Sequence, residues 1–398
     1  MKHDVAREDT SPNDLRDMGP NTRLAHAGWN PRDYHGFVNP PVVHASTVLY
    51  PDWETMRDRG QRYTYGTRGT PTTDALAGAI DELEGSAGTI LVPSGLAAIS
   101  VPMLAFANSG DHVLVVDSVY TPNRHFCDTV LTRMGVEVEY FHPHVGEDFR
   151  HLVRHDTSIV MLEAPASNSF EMVDVPLLAQ IAHEANPDCT VMMDNTWATP
   201  LFFKPLDHGV DISIHALTKY PAGASDLVLG GVSANGRSWE RLQDTQFALG
   251  TCAAPDDCFL TLRGMRSMNV RLQHHQLSTL VICEWLRARK DVARVLYPAL
   301  PDDPGYPLWE RDFSGASGLF SFVLKGDVEA AGRFLNGLRI HGLGYSWAGY
   351  ESLAVIPWFG DRTVCPGPQD GTAIRIQVGL EDPSDLIEDL ERGFAAAF

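Results

Sequence analysis

The chain has 398 residues, and nowhere in it do about eighteen apolar residues run together, so no segment reads as a membrane-spanning helix. Its six cysteines, at 127, 189, 252, 258, 283 and 365, have no paired spacing and no C-x-x-C. That pattern argues against a disulfide framework and for reduced thiols in a cytosolic protein. Positive charge is scarce: 31 Lys and Arg face 51 Asp and Glu, a formal net charge of -20. A nucleic-acid partner, which needs clustered Lys and Arg, is therefore not expected. Histidines crowd at His142, His144, His151 and His155 and again at His274-His275, yet no H-E-x-x-H or repeated ligand spacing occurs, so no metal site is expected. Gly342-Leu343-Gly344 lacks the third glycine of a dinucleotide fingerprint, and no G-x-S-x-G elbow is present. The first twenty residues are polar and mixed in charge, which predicts a frayed terminus and not a targeting segment.

A chain this long exceeds one ordinary core. Residues 1–69 are turn-rich and read as an arm that packs on something else. From 70 to 265, helical and strand patterns alternate: a helix over 74–84, strands at 89–92, 112–116, 136–140, 158–162 and 190–193, and another leading into Lys219. Apolar strands separated by helices imply a mostly parallel sheet covered on both faces, an α/β fold. Residues 266–398 begin with a long helix through Trp285 and continue as a smaller α+β domain, with strands at 318–324 and 373–378 and helices at 328–336 and 383–394.

The chemistry collects at strand ends. Lys219 closes Asp211-Ile212-Ser213-Ile214-His215-Ala216-Leu217-Thr218-Lys219, and Asp194 closes Thr190-Val191-Met192-Met193-Asp194. Ligands of open α/β sheets sit outside the carboxyl ends of the strands. Alone, the first would be a surface lysine and the second a helix cap. Together they suit pyridoxal 5'-phosphate (PLP), whose aldehyde takes a lysine amine and whose ring nitrogen pairs with a carboxylate. The turn Pro93-Ser94-Gly95 into a helix from Leu96 offers backbone amides to a phosphate, and Thr218 offers a hydroxyl. Tyr120, just beyond a strand end, can stack on a flat ring. Arg375, in an alternating strand, suits either a substrate carboxylate or an internal salt bridge.

With those residues in view, the chain resembles the Cys/Met-metabolism family of PLP enzymes, and within it the bacterial cystathionine β-lyase branch, from about Asn21 to the C-terminus. The resemblance rests on Tyr63-Thr64-Tyr65-Gly66-Thr67-Arg68-Gly69-Thr70-Pro71-Thr72, Asp117-Ser118-Val119-Tyr120, Asp194-Asn195-Thr196-Trp197-Ala198-Thr199-Pro200, Thr218-Lys219-Tyr220, Gly344-Tyr345-Ser346-Trp347 and Gly379-Leu380-Glu381-Asp382. It implies the fold-type I PLP architecture, a mostly parallel seven-stranded sheet with a small C-terminal domain, and a homotetramer of dimers that share active sites. It implies Lys219 as Schiff-base lysine and catalytic base, Asp194 on the ring nitrogen and Tyr120 on the ring face. Ser94, Gly95, Leu96 and Thr218 would cradle the phosphate, with Tyr65 and Arg68 entering from the neighbouring subunit. Ser346 and Arg375, beside Tyr345 and Trp347, would bind substrate. The expected reaction is β-elimination from L-cystathionine or a related cysteine thioether to a thiol, pyruvate and ammonia. A γ-acting member of the family is the alternative within the class, and a PLP-binding regulatory protein with little turnover the alternative outside it. The chain departs from the family pattern at Thr67, where an arginine is usual, at Ala224 after the lysine, and at Ser167-Asn168.

Overall fold

The computed structural model describes residues 18–398. The expected frayed terminus falls almost wholly outside the described residues. Seven strands, β1 Gly88–Val92, β2 His112–Val116, β3 Glu137–Phe141, β4 Thr157–Glu163, β5 Thr190–Asp194, β6 Ile212–Ala216 and β7 Gly230–Ala234, form one sheet in the order β1-β7-β6-β5-β4-β2-β3. β7 pairs antiparallel with both of its neighbours, and the other pairings are parallel. Every residue of β1, β2 and β7 is buried, as a sheet covered by helices on both faces requires. The alternation read from the sequence gave six of these strands; β7 escaped because Gly230-Gly231-Val232-Ser233-Ala234 has almost no bulky apolar residue.

Local chemistry sets the helix starts. Pro71–Glu84 opens on Thr70, whose hydroxyl and that of Thr73 form a reciprocal capping box, and ends at Gly85 in the left-handed conformation at φ 73°. Its buried face is Ala75, Leu76, Ala79, Ile80 and Leu83. Helix Gly95–Phe106 is capped by the Ser94 hydroxyl, which accepts from the Ala97 N–H. The long helix expected from 266 is Met268–Arg287, preceded by a separate helix, Pro255–Met265.

Beyond it lies a second sheet of β8 Val292–Leu296, β9 Leu319–Leu324, β10 Leu353–Val355 and β11 Thr372–Gln377, in the order β10-β11-β9-β8 and antiparallel throughout. Helices Val328–Gly337 and Pro383–Ala397 pack together beside it, with the Phe334 and Phe394 rings 4.9 Å apart edge to face. Three contacts fix this sheet to the first. Trp197 Nε1 donates to the Leu319 carbonyl at 3.0 Å, and the Gly318 N–H donates to the buried Tyr220 hydroxyl at 2.8 Å. The buried Asp117 carboxylate accepts from Arg124 and from the N–H groups of Thr363, Val364 and Cys365. These clamps bring Arg375 of β11 over the carboxyl ends of β4, β5 and β6.

Candidate active site

A cavity of about 240 Å³ opens at those strand ends, lined by Ser94, Gly95, Leu96, Tyr120, Glu163, Asp194, Thr196, Thr218, Lys219, Trp347 and Arg375 among others. Nine of the residues singled out in the sequence therefore converge on one space from six separate segments. Tyr345 and Ser346 line an adjoining outer chamber of about 400 Å³, which shares Tyr120, Lys219, Trp347 and Arg375 with the first.

Lys219 stands in the turn after β6. Burial, then the positive charge of Arg375, lower its amine to about 8, with Asp194 pulling the other way. Its Nζ donates to Ser346 Oγ at 2.6 Å and lies 5.0 Å from the centre of the Trp347 ring. Ser346 is held at φ 77°, and Ala348 at φ 73°, in the left-handed region that non-glycine residues rarely occupy.

Asp194, the last residue of β5, accepts through one oxygen from the Thr196 N–H at 3.0 Å and the Thr196 hydroxyl at 2.5 Å. Burial raises its pKa while the Thr196 bonds and the charges of His215 and Lys219 oppose that rise. Among the described residues no hydrogen-bond donor meets its second oxygen, which leaves an acceptor free on the cavity wall.

Glu163, last in β4 and paired in register with Asp194, is a member of this site that the sequence reading missed. Its carboxyl accepts from the Tyr120 N–H at 2.7 Å, so it fixes the backbone that carries Tyr120. Burial first, and the neighbouring Asp194 second, raise its pKa well above the usual carboxylate range. Its position at a strand end beside Asp194 was the available signal, masked because Leu162 looked like the end of the apolar run.

Arg375 has no carboxylate within ion-pairing distance among the described residues, which removes the internal salt bridge as its explanation. Its guanidinium donates to Asn168 Oδ1 at 3.0 Å and to the Ser346 carbonyl at 3.4 Å, leaving donors free, and burial lowers it to about 10. A planar guanidinium with free donors on the cavity wall suits a carboxylate ligand.

At the start of helix Gly95–Phe106, the Ala97 and Ala98 amides are bonded to Ser94 and those of Gly95 and Leu96 have no intrahelical partner. A phosphate fits there. Thr218 lines the same wall, but its hydroxyl donates to the Leu229 carbonyl at 3.1 Å and accepts from the Leu229 N–H at 3.0 Å, so it serves the backbone here. Tyr65 and Arg68 do not reach this cavity within the chain. Tyr65 forms a bridge with Thr47, and Arg68 stacks 3.9 Å over Phe247 in a different cleft. His112, Glu137 and Glu139 lie close enough together to share an ion, but Arg154 already pairs with both carboxylates.

An amine poised to lose its proton, a carboxylate with a free oxygen, a stacking ring and free helix N-terminal amides together fit PLP. The family model described as "Cys/Met metabolism PLP-dependent enzyme" matches residues 21–395. A "Putative cystathionine beta-lyase" of Rhizobium johnstonii is 61% identical over 96% of this chain and 98% of its own length. The "Cystathionine beta-lyase MetC" of Escherichia coli is 40% identical over 96% of this chain and 99% of its own. Among solved structures, a cystathionine gamma-lyase from Lactobacillus plantarum complexed with L-serine superposes with a TM-score of 0.88 at 29% identity, covering 96% of this chain and 99% of that one.

Proposed function

The chain belongs to the Cys/Met metabolism PLP-dependent enzymes and is a carbon–sulfur lyase; from that premise we propose that it cleaves the Cβ–S bond of L-cystathionine or a related cysteine thioether. The observation that carries this reading is the Lys219 amine, tethered by Ser346 between Asp194 and the unpaired Arg375. The bound cofactor supplies an aldehyde for the substrate amine and an electron sink for the charge left at Cα. Arg375 grips the α-carboxylate and so fixes the Cα–H bond toward Lys219. A neutral Lys219 takes that proton and returns one to the departing sulfur. Asp194 would pair with the ring nitrogen of the bound cofactor and favour its protonated form, and Tyr120 would stack on the ring. The thiol leaves as homocysteine when cystathionine is the substrate, and hydrolysis of the remaining three-carbon enamine gives pyruvate and ammonia. γ-Elimination needs a second proton removed at Cβ; the β reading is supported over it because the relatives named cystathionine beta-lyase are 61% and 40% identical and the cystathionine gamma-lyase of Bos taurus 31%. Incubation with L-cystathionine tests the reading: pyruvate and homocysteine are expected, and 2-oxobutyrate with cysteine would overturn it.

The division into an arm (1–69), a PLP-binding domain (70–265) and a small domain (266–398) is likewise proposed, supported by the helix break between Met265 and Met268. A homo-oligomer, a tetramer of active-site-sharing dimers, is proposed because the arm leaves Leu49 and Trp53 85% and 65% exposed, and because Tyr65 and Arg68 stay outside their own site. Mixing inactive Tyr65→Ala and Lys219→Ala subunits should restore activity; no recovery after verified subunit exchange would contradict it. The six free cysteines support a cytoplasmic setting, and no described helix is long and apolar enough to cross a membrane.

A further inference from the structure

Between β10 and β11 the chain runs as a strap, residues 356–371, that returns to the first sheet and is fastened there twice. The first fastening is Asp117, buried just beyond the end of β2. Its carboxylate accepts from the consecutive N–H groups of Thr363, Val364 and Cys365 at 3.2, 2.8 and 2.6 Å, and from the Thr363 hydroxyl at 3.2 Å. Successive amides of this kind form a nest for an anion, and here the chain itself supplies the anion. Burial works against the charge on Asp117. The amides of Cys365, Val364 and Thr363, with Arg124, more than offset it and hold the carboxyl below its ordinary value. The second fastening is Arg362, which donates to Ser169 Oγ at 2.7 Å and pairs with Glu171 at 3.2 Å. All of these contacts are made within one chain.

Asp117 also closes the turn that carries Tyr120. Helix Thr121–Phe126 starts on Tyr120, whose carbonyl accepts from the Asn123 N–H at 2.8 Å. From that helix the Arg124 guanidinium comes back to Asp117 and lies 3.5 Å over the Tyr140 ring. Tyr120 therefore sits in the middle of a loop whose two ends are one buried ion pair. We propose that Asp117 is a positioning residue for the reaction. By drawing the strap and Arg124 onto one carboxylate, it makes the docking of the second sheet set the angle of the Tyr120 ring. Asp117 lines neither cavity, so it acts through Tyr120 and not by touching a ligand. The proposal rests on the PLP reading for its last step alone, the stacking of Tyr120 on the cofactor. Asp211 offers a matched comparison. It is a buried carboxylate that accepts from the Val191 N–H at 2.9 Å and from Asn235 at 2.8 Å, but it precedes β6 at the opposite edge of the sheet from the cavity.

The test uses Asp117→Asn, which keeps the size of the side chain but turns an N–H donor toward the strap amides. In the PLP-loaded protein it should alter the induced circular dichroism of the cofactor and lower kcat at least about tenfold, with KM moved less than about threefold. In hydrogen exchange, followed on the loaded and the cofactor-free protein alike, the peptides containing Thr363–Cys365 and Tyr120 should lose protection together, by at least about tenfold in rate. Arg124→Met opens the turn and leaves the strap amides on Asp117. It should give the same change in dichroism with 363–365 still protected, and it serves if Asp117→Asn fails to fold. Asp211→Asn should cost stability and leave both signals unmoved. Tyr120 protection unchanged in an Asp117→Asn protein whose strap amides have opened would overturn the inference. So would dichroism and kcat that stay at the parent values in both Asp117→Asn and Arg124→Met. A protein that took up no PLP would fail the cofactor reading, and the exchange experiment would still decide whether Asp117 holds the Tyr120 turn.

Discussion

Lys219 Nζ donates to Ser346 Oγ at 2.6 Å across the junction of the two sheets, and Ser346 is held in the left-handed region to make that contact. The lysine stands in the turn after β6 of the first sheet and the serine in the loop that leads to β10 of the second, so the position of this amine reports how the two sheets are docked. Ser346→Ala keeps the strained backbone and removes the tether; kcat should fall about ten- to a hundredfold, the scale of a lost hydrogen bond to a charged group. Ser346→Gly removes the same hydroxyl and relieves the positive φ, so it should match Ala in kcat and exceed it in thermal stability. Equal stability of the two would show that the conformation costs nothing.

Among the described residues, no carboxylate pairs with the Arg375 cation. Arg375→Lys should raise KM at least about tenfold, because a point charge cannot replace the planar fork. Thermal stability should hold or rise, since no ion pair is broken and a buried lysine, unlike arginine, can shed its proton. Loss of stability with KM unchanged would return Arg375 to a structural role.

Glu163 should act as a neutral carboxyl, because burial and the adjacent Asp194 both disfavour its charge. Glu163→Gln keeps an acceptor for the Tyr120 N–H, and turnover should stay within about threefold of the parent with the cofactor absorbance unmoved. Glu163→Ala should lose about tenfold or more as Tyr120 shifts. An absorbance or pH-profile change in the Gln variant would mean that Glu163 is ionised in the working enzyme.

The amine of Lys219 in the cofactor-free protein has its pKa lowered to about 8 from the ordinary 10.5. Uptake of PLP needs the neutral amine, so its rate should climb as pH rises to about 8 and level above that. The sign for stability follows from proton counting: between about 8 and 10.5 the unfolded chain binds a proton at this site that the folded one lacks. Stability of the cofactor-free protein should therefore rise with pH across that window, other groups held equal. An uptake profile still climbing at pH 10 would place the amine near its ordinary value.

Strand ends were legible because the apolar stretches of β5 and β6 give way to polar residues, and those residues are chemically unusual for such positions. That logic found Lys219, Asp194 and Tyr120, and the family resemblance supplied Ser346 and its neighbours. It could not find Glu163, because an acid one place beyond an apolar run looks like the start of a loop until β4 and β5 are seen in register. It could not foresee that the Thr218 hydroxyl spends itself on Leu229, eleven residues away, since that contact depends on how the chain returns after β6. Arg375 was left between a substrate clamp and a salt bridge, and the sequence could not show that no acid among the described residues comes within ion-pairing distance of it.

The central claim is that PLP is held through Lys219, and the chain is convenient for testing it, having only Lys2, Lys204, Lys219, Lys290 and Lys325. The PLP-loaded protein should be yellow, and borohydride reduction followed by peptide mapping should place the fixed cofactor on the peptide containing Lys219 alone. A protein that takes up no PLP, or cofactor fixed at one of the other four lysines, would contradict the account.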